Sequence, residues 1–428
     1  MSGFWTYKTY KCIFHNSFNL ILPKIEIYVE KTREFSRPTN IKYTWIRSAI
    51  IHVHHTLFSF VALFAYTLNI LKNMPSPPHI TTKMAYAVDD KTRPYAFFYP
   101  KPRTENEKKE DPAHPHEVAG SYKMMETKVH NARIVEPGHL SFDNSGFELL
   151  NQKTNLSNKD FYAIFQDQEL KDSYYKEMED FCKETFGCTH AMAFHHQIRN
   201  TDKSGQGQAA MHGNVAGYAL TMPHTDSSCY SGDDVYLYIF DEMTKKENID
   251  RYDPEKTLVK GRGRYVYLNI WRNISDQYNI TNHHLACLDE RSTIKPDDYI
   301  VKDLFAETAG YKYSVSQYSL NNRHHNCHKW YYYPNMTKDE VLVFKQADSD
   351  YRKTSRMAFH VAVEDPQALK QEGSDKVPAR ESIECRLLCI FMDSDLDTVP
   401  DQYSYAEAEG KFQDLDKEGM EKMFGKHA

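Results

Sequence analysis

The sequence predicts a mostly β domain with flanking helices, whose strands form a sandwich or a barrel. Tyr (30) and Phe (23) are abundant in the 428 residues, as is common where β-sheets pack on each other. From about residue 190 onwards, short runs of β-branched and aromatic residues alternate with turn residues. No helical pattern separates these runs, which disfavours a parallel α/β sheet. Hydrophobic residues make up 40% of the chain, enough for a globular core.

Charge and cysteine content exclude or disfavour several classes of protein. Lys and Arg number 53 and Asp and Glu number 59, so the formal net charge is −6. Because nucleic-acid binders usually carry net positive charge, we expect no nucleic-acid partner. The 8 cysteines contain no C-x-x-C pair and are typical of reduced thiols in an intracellular protein, with a set of disulfides as the alternative. We therefore expect a cytoplasmic location.

Residues 1–83 differ in composition from the rest and are predicted to form an N-terminal extension. Residues 1–47 contain eight Lys or Arg and three Glu, and residues 48–71 contain no charged Asp, Glu, Lys or Arg. As a helix rising ~1.5 Å per residue, 48–71 is long enough to span a bilayer, but its three histidines and one asparagine disfavour insertion. The segment is therefore a membrane anchor, an unstructured extension, or sequence upstream of a true start at Met74 or Met84.

A proline-rich stretch at residues 74–79 is typical of a linker and precedes the main domain. We predict this domain at 84–402, with an extended arm at 93–120 and a C-terminal helical tail at 403–428. The motifs that carry chemistry all lie after residue 84. We therefore expect residues 1–83 to be dispensable for the chemistry.

One helix is predicted at residues 157–187, ahead of the strands. Ser157 and Asp160 have the spacing of a capping box, and Gly187 is a suitable end. Phe161 and Met178 belong to an apolar helix face. Eight strands are predicted after it, at 191–195, 236–240, 265–271, 311–318, 330–333, 341–345, 358–363 and 383–392.

The tripeptide His224-Thr225-Asp226 is the only H-x-[DE] pattern at the 21 histidines of the chain. In a strand, residues two apart point to the same side, so both side chains can bind one metal ion. A distant histidine would complete the two-histidine, one-carboxylate triad that holds Fe(II) and leaves positions open. One such tripeptide is also expected by chance at this histidine content, so further residues must support the prediction.

Support comes from His360, which lies in a strand-like run, and from Arg380-Glu-Ser382 at the start of the next strand. An arginine fork can hold a carboxylate through two hydrogen bonds, and a serine hydroxyl can add a third. Arg386 has the same strand parity and is a rival for the same carboxylate. Taken singly, His360 could be a core histidine and Arg380 a loop arginine, but the ordered set is more specific.

Eight stretches of the chain together resemble a known family: 193–199, 223–228, 267–272, 285–292, 328–336, 339–349, 360–366 and 378–386. The region from about Tyr95 to Met392 is similar to the AsaB-type hydroxylase/desaturase family, which is iron/2-oxoglutarate dioxygenase-like. That family includes the fungal gibberellin desaturase and a subunit of the bacterial cephamycin methoxylation system. Residues 1–83 have no counterpart in this resemblance.

The resemblance implies a double-stranded β-helix, or jelly-roll, core and a non-haem iron dioxygenase. It implies that His224, Asp226 and His360 bind Fe(II), and that Arg380 and Ser382 hold the cosubstrate 2-oxoglutarate. With O₂, such an enzyme hydroxylates or desaturates an unactivated C–H position of a small molecule, as in secondary metabolism. Two other functions stay open: a non-catalytic jelly-roll partner protein, and an iron enzyme of this fold that does not use 2-oxoglutarate.

Further residues are candidates for the substrate pocket. The tryptophans among them are more common in cores, and the arginines could equally form buried ion pairs. A cluster of His324, His325, Cys327 and His328 could instead bind zinc, and the charged segment 230–260 could shape or cover the pocket. The candidate residues for the substrate pocket are Asn269, Trp271, Arg272, Arg291, His328, Trp330 and Tyr331.

Overall fold

The computed structural model describes residues 77–90, 94–98, 118–200, 202–203, 222–228, 262–308, 311–350, 352–368 and 377–395. All of them belong to the unit Ser76–Ala428. The predicted anchor 48–71, the strand 236–240, the charged segment 230–260 and the tail 403–428 lie outside the described residues. Among the described residues, no helix is both long and apolar enough to cross a membrane.

Strands dominate the described part of the chain, which also contains two α-helices. The helices are α1 Asn158–Ala163 and α2 Gln168–Phe186. The strands are β1 His79–Ala87, β2 Tyr95–Phe98, β3 Val118–Ala119, β4 Tyr122–Asn131, β5 Phe147–Asn151, β6 His190–Arg199, β7 Arg262–Asn273, β8 His284–Leu288, β9 Tyr299–Thr308, β10 Tyr311–Leu320, β11 Trp330–Tyr332, β12 Glu340–Asp348, β13 His360–Val363 and β14 Ser382–Asp395.

The strands form two sheets that face each other. Sheet I is antiparallel, with the order β5-β12-β7-β14-β6. Sheet II has two parts, β1-β4-β11-β8-β13 and β10-β9-β2-β3. Residues 222–228 join the two parts, because His224 bridges to His360 of β13 and to Ser319 of β10. This nearly closed, barrel-like arrangement confirms the predicted mostly β jelly-roll.

Helices α1 and α2 cover the outer face of sheet I. Tyr174 and Met178 of α2 are fully buried in a core that includes Ile270 of β7 and Cys385 of β14. The side chain of Ser157 caps α1 in a capping box with Asp160, as predicted.

The prediction of a single helix at 157–187 is wrong, although its end is right. The chain leaves the helix after Ala163, and α2 starts anew because the Asp167 side chain accepts a hydrogen bond from the Leu170 N–H. Gly187 ends α2 with a left-handed φ of 69°, a conformation that glycine adopts without steric cost.

A separate apolar cluster, called here the inner core, lies between the sheets. Successive strand residues point to opposite faces, so the central strands supply side chains both to the inner core and to the outer ones. Burial of each large apolar side chain stabilises the fold by about 1.5–3 kcal/mol. The inner core includes Trp271, Leu342 and Phe344 of sheet I and Leu285, Cys287 and Tyr331 of sheet II.

Seven of the eight predicted strands lie in the described residues and are present. β1 begins at His79, ahead of the predicted domain start at residue 84, and its Ile80 is buried. The described parts of the predicted arm 93–120 are strands β2 and β3. The first strands therefore belong to sheet II and help to close it.

Candidate active site

The H-x-D tripeptide lies in the segment that joins the two parts of sheet II. The N–H of His224 donates to the carbonyl of His360 (3.2 Å), and the N–H of His360 donates to the carbonyl of His224 (2.8 Å). On the other side, the N–H of Thr225 donates to the carbonyl of Tyr318 in β10 (2.9 Å). Backbone hydrogen bonds therefore set the position of His224 directly opposite His360, 136 residues further along the chain.

Three ligand atoms meet beside this pair. The Nε2 atom of His224 lies 3.7 Å from Oδ1 of Asp226, and the Nε2 atom of His360 lies 3.6 Å from the same oxygen. All three atoms lie within 4.8 Å of one another, and no other His, Cys, Asp or Glu group in the described ranges meets this test. The histidine side chains are buried, with His360 only 3% exposed.

Both imidazole rings are oriented by their other nitrogen. Nδ1 of His224 lies 2.7 Å from the carbonyl oxygen of Met222, and Nδ1 of His360 lies 3.3 Å from that of Ala358. A proton on each Nδ1 leaves the Nε2 lone pair free to face Asp226. Burial lowers the pKa of His224 to about 3, and the nearby His360 adds to this although Asp226 opposes it. A neutral imidazole is the form that binds metal ions.

Asp226 presents one oxygen to the histidines because its other oxygen is already occupied. Oδ2 accepts hydrogen bonds from Nδ2 of Asn269 (2.7 Å) and from Nε of Arg386 (3.2 Å). The backbone N–H of Asp226 donates to Oε1 of Gln346 (2.6 Å). Burial alone would raise the pKa of Asp226, but Arg386 and the two histidines lower it well below its ordinary value.

Two imidazole nitrogens and one ionised carboxylate oxygen make a donor set suited to Fe(II). The three atoms lie within 4.8 Å of one another, and the Nδ1 contacts of the two rings favour coordination through Nε2. The residues present therefore fit a resident iron ion.

Arg380 and Ser382 lie at the start of β14 and have polar atoms without anionic partners. Arg380 is 7% exposed, and its Nη1 donates to the carbonyl of His283 (2.8 Å). Its guanidinium carbon lies 5.7 Å from the ring centroid of Trp271. Burial lowers the pKa of Arg380 to about 9, Arg199 adds to this, and Glu384 opposes it.

No carboxylate in the described ranges forms an ion pair with Arg380. The hydroxyl of Ser382 is buried and has no hydrogen-bond partner among those residues either. A buried guanidinium and an unpaired hydroxyl, two residues apart, can together hold an anionic group.

Some of the other predicted pocket residues lie between the two sheets, and the rest lie outside that space. Asn269 contacts Asp226, and Trp271 and Tyr331 lie in the inner core. Phe344, which was not predicted, also reaches the site, with its ring centroid 4.8 Å from that of His360.

Arg272 and Trp330 point away from the inner core. Arg272 is fully buried on the helix side of β7, where its Nη2 donates to the carbonyl of Gln152 (3.0 Å) and its Nη1 lies 3.8 Å from Glu177 of α2. Trp330 lies in the outer core of sheet II, where its Nε1 donates to the Tyr86 hydroxyl (2.8 Å).

Arg291 and His328 are engaged with carboxylates outside the triad. Arg291 makes a two-point contact with Asp289, through Nε to Oδ1 and Nη2 to Oδ2, each at 2.7 Å. Nε2 of His328 lies 3.1 Å from Asp298, and Nδ1 of His324 lies 2.8 Å from the same carboxylate. The proposed zinc cluster is therefore replaced, among the described residues, by two histidines that share Asp298.

Sequence reasoning missed two polar residues of the site. Gln346 contacts the backbone of Asp226, and Nδ1 of His195 lies 3.1 Å from Nη1 of Arg386. His195 is the cross-strand partner of Arg386 in the register of β6 and β14, next to a β-bulge. Both residues occur in stretches that carry the family resemblance, 193–199 and 339–349. Their place in these stretches was the sequence signal from which they could have been identified as site residues.

The chain is similar to known proteins in sequence and in fold. A family model described as an oxidoreductase/YMDC permease-like domain matches residues 84–390. The hydroxylase/desaturase efuI of Hormonema carpetanum is 27% identical over 286 residues, which cover 64% of this chain and 86% of that protein. The alpha-ketoglutarate-dependent dioxygenase tstK of Talaromyces stipitatus is 25% identical over 258 residues, which cover 59% and 80%.

A solved structure shares the fold. The iron and alpha-ketoglutarate-dependent endoperoxidase NvfI superposes with a TM-score of 0.54 at 19% identity, covering 74% of this chain and 99% of that one. The family match spans most of the chain and confirms the resemblance seen in the sequence. The chain belongs to this oxidoreductase family, together with hydroxylase/desaturases and alpha-ketoglutarate-dependent dioxygenases of fungi.

Proposed function

We propose that the chain is a non-haem Fe(II)- and 2-oxoglutarate-dependent dioxygenase that hydroxylates or desaturates an unactivated C–H position of a small molecule in secondary metabolism. The observation that carries the proposal is the grouping of two Nε2 atoms and one carboxylate oxygen, from His224, His360 and Asp226, within 4.8 Å of one another. Bound iron would supply the centre that activates O₂ while 2-oxoglutarate is oxidatively decarboxylated to succinate.

His224, Asp226 and His360 hold the iron in this proposal. The carbonyls of Met222 and Ala358 keep the rings oriented through Nδ1, so that Nε2 faces Asp226. Three protein ligands leave coordination positions for the cosubstrate and for O₂.

Arg380 and Ser382 bind the distal carboxylate of 2-oxoglutarate. Supporting this assignment, Arg380 is a buried cation with no carboxylate partner in the described part of the chain, and the Ser382 hydroxyl is unpaired. An isolated buried charge is costly, so an anionic ligand would gain much of its affinity by neutralising it. Arg386, the rival for this role, is already engaged with Asp226.

The substrate enters the space between the two sheets, beside the triad. Trp271, Phe344 and Tyr331 offer apolar walls that exclude water, and Asn269 is a polar residue that donates to Asp226. Such walls hold the reacting carbon in place and protect the site from side reactions. Trp271 also packs against Arg380, so substrate and cosubstrate would share this side chain.

The protein is proposed to act in the cytoplasm on a small-molecule substrate and O₂, without nucleic acid. The net charge of −6 supports the last point. A link to a membrane would come only from residues 48–71.

Anaerobic spectroscopy tests the function. Addition of 2-oxoglutarate to the Fe(II) protein should produce a visible charge-transfer band, which requires a keto acid bound to iron through two atoms. Iron binding without the band would favour an iron enzyme that does not use 2-oxoglutarate. Failure to bind iron, or binding without any turnover of 2-oxoglutarate in air, would favour the non-catalytic partner protein.

A further inference from the structure

Lys302 of β9 is a buried cation that the proposed iron and cosubstrate sites do not use. The residue is 3% exposed, and its Nζ lies 5.6 Å from the ring centroid of Tyr122. None of the described Asp or Glu side chains forms an ion pair with it. An ammonium group buried without a counter-ion is costly, which points to a ligand that supplies the charge.

The strand register places Lys302 on the same sheet face as the metal-binding histidine. Lys302 lies opposite Gln317 of β10, and His224 bridges to Ser319 of the same strand. Residues 317 and 319 share a face because they are two apart, and cross-strand partners lie on that face with them. With strands ~4.8 Å apart and ~3.4 Å between residues, the Cα atoms of Lys302 and His224 lie about 12 Å apart.

The charge state of Lys302 follows from its burial. Burial lowers the pKa of Lys302 itself to about 8, so the amine is still mostly protonated at neutral pH. The charge is therefore present in the interior where a substrate would bind.

A second donor lies beside the amine. The hydroxyl of Tyr122 is buried and forms no well-aligned hydrogen bond in the described part of the chain, with Ser319 as its polar neighbour. Gln317 and Ser319 are buried on the same face, at 6% and 3% exposure. A cation, an unpaired hydroxyl and further polar groups in a water-poor space are the features of a carboxylate-binding site.

We infer that Lys302 and the Tyr122 hydroxyl bind a carboxylate of the substrate, so that the substrate is an organic acid with its reacting carbon displaced from its acid group. This rests on the proposed function. Lys302 lies in sheet II, whereas Arg380 lies at the start of a strand of sheet I. Two anions, the cosubstrate and the acid, can therefore be held at the same time.

The test uses the full chain loaded anaerobically with Fe(II) and saturating 2-oxoglutarate, with the visible band as proof of loading. Cyclohexanecarboxylate and cyclohexanecarboxamide, matched in shape but not in charge, are titrated by calorimetry. We expect wild type to bind the acid at least ~10-fold tighter than the amide, the size expected of a charge-assisted contact. Lys302→Met should bring the two affinities within about twofold, and Lys302→Arg should keep the preference.

Tyr122→Phe and Arg199→Met complete the set of variants. Loss of the hydroxyl should weaken acid binding severalfold and leave amide binding unchanged, which a general loss of folding would not do. Arg199 influences Arg380 and serves as the matched cation, so Arg199→Met should keep the preference for the acid.

The inference is overturned if wild type does not prefer the acid, or if Lys302→Met keeps the preference while folded. It is also overturned if the preference disappears in Arg199→Met and not in Lys302→Met. If the visible band is absent, the proposed function fails instead, and the same titrations on the iron-loaded protein without 2-oxoglutarate still decide the role of Lys302.

Discussion

Arg386 holds the carboxylate oxygen of Asp226 that faces away from the two histidines. Its Nη2 lies 3.0 Å and its Nε 3.2 Å from Oδ2, and Asn269 donates to the same oxygen. Only Oδ1 is left for a metal ion. A ligand whose second oxygen is fixed in this way is oriented before the metal binds.

This contact predicts that the two arginines near the start of β14 affect different ligands. Arg386→Lys keeps the charge but cannot donate from two nitrogens to Oδ2. We expect it to weaken Mn(II) binding, measured by calorimetry as a redox-inert substitute for Fe(II), by about 10- to 100-fold. The apparent KM for 2-oxoglutarate should change little at saturating metal.

Arg380→Lys is the matched variant and should show the opposite pattern. Loss of a two-point, charge-assisted contact costs on the order of 2–3 kcal/mol, or roughly 30- to 150-fold in the apparent KM for 2-oxoglutarate. Affinity for Mn(II) should be unchanged because no contact joins Arg380 to the triad. If Arg386→Lys shows the large KM effect and Arg380→Lys does not, the two arginines exchange roles. If neither variant responds to 2-oxoglutarate, another cosubstrate is used.

Replacement of a metal ligand should remove iron and activity together. His360→Ala deletes one of three donors, and each contributes to a site that has no fourth protein ligand among the described residues. We expect metal content after Fe(II) loading to fall to background, as measured by atomic emission, while circular dichroism stays close to wild type. His284→Ala, a buried histidine of the neighbouring strand β8, is the control and should keep its iron. Full iron loading of His360→Ala would refute the assignment.

The grouping of His224, Asp226 and His360 could be predicted from the sequence because two of them are local. His224 and Asp226 are two residues apart, and a strand-like run identified His360 without knowledge of its neighbour. The role of Arg386 was harder to predict, because its contact with Asp226 joins residues 160 apart and depends on the sheet register. Strand parity indicated that it points inward but not which anion it meets.

Strands that were not predicted from the sequence, such as β4 and β8, explain most of the remaining difference between the predicted and the observed fold. Apart from Val129, β4 contains few strongly apolar residues, and its buried positions include Thr127 and Asn131. β8 is buried at every position but contains Ala286 and Cys287, which have no strong strand preference. Both strands form because neighbours in sheet II complete their hydrogen bonds. Pairing with neighbouring strands is not visible in a local stretch of sequence. The break between α1 and α2 was also hard to predict, because the apolar helix face continues across it.

A buried ion network at the end of β12 predicts a large loss of stability. Asp348 contacts Nε of Arg264 (2.8 Å) and Nζ of Lys345 (2.7 Å), and the side chains of Asp348 and Lys345 are fully buried. Asp348→Asn removes the buried counter-ion of two cations and leaves them the more distant and half-exposed Asp143. Loss of one partner of a buried ion pair typically costs 3–5 kcal/mol, so we expect about that loss in the free energy of unfolding. The exposed pair of Lys338 and Asp276 is the control, and Asp276→Asn should cost much less.

The same network makes a prediction about pH. Burial alone would raise the pKa of Asp348, but Lys345 and Arg264 lower it to about 2 in the folded protein. A lowered pKa contributes stability above the ordinary value near 4, and the contribution disappears as the pH falls towards 2. The difference in unfolding free energy between wild type and Asp348→Asn should therefore shrink between pH 5 and pH 3, as judged by urea titration. A difference that is constant over this range would contradict the prediction.

Shortened chains test where the domain begins. Sequence reasoning set the start at residue 84, but β1 pairs with β4 from His79 onwards, and Ile80 is buried. The carbonyl of Pro78 also accepts a hydrogen bond from the N–H of Asn131 (2.9 Å). A chain that begins at Met84 loses about half of this strand, including an isoleucine whose burial contributes roughly 1.5–3 kcal/mol.

We therefore expect the chain that begins at Ser76 to match the full chain in thermal midpoint and in Mn(II) affinity. The chain that begins at Met84 should bind Mn(II) with similar affinity while folded, because no triad contact involves β1, but it should unfold at a temperature several degrees lower. Equal midpoints for the two shortened chains would show that residues 77–83 contribute nothing to sheet II. Weaker metal binding by the folded Ser76 chain would instead show that residues 1–75 belong to the site, and the expectation that they are dispensable for chemistry would be wrong.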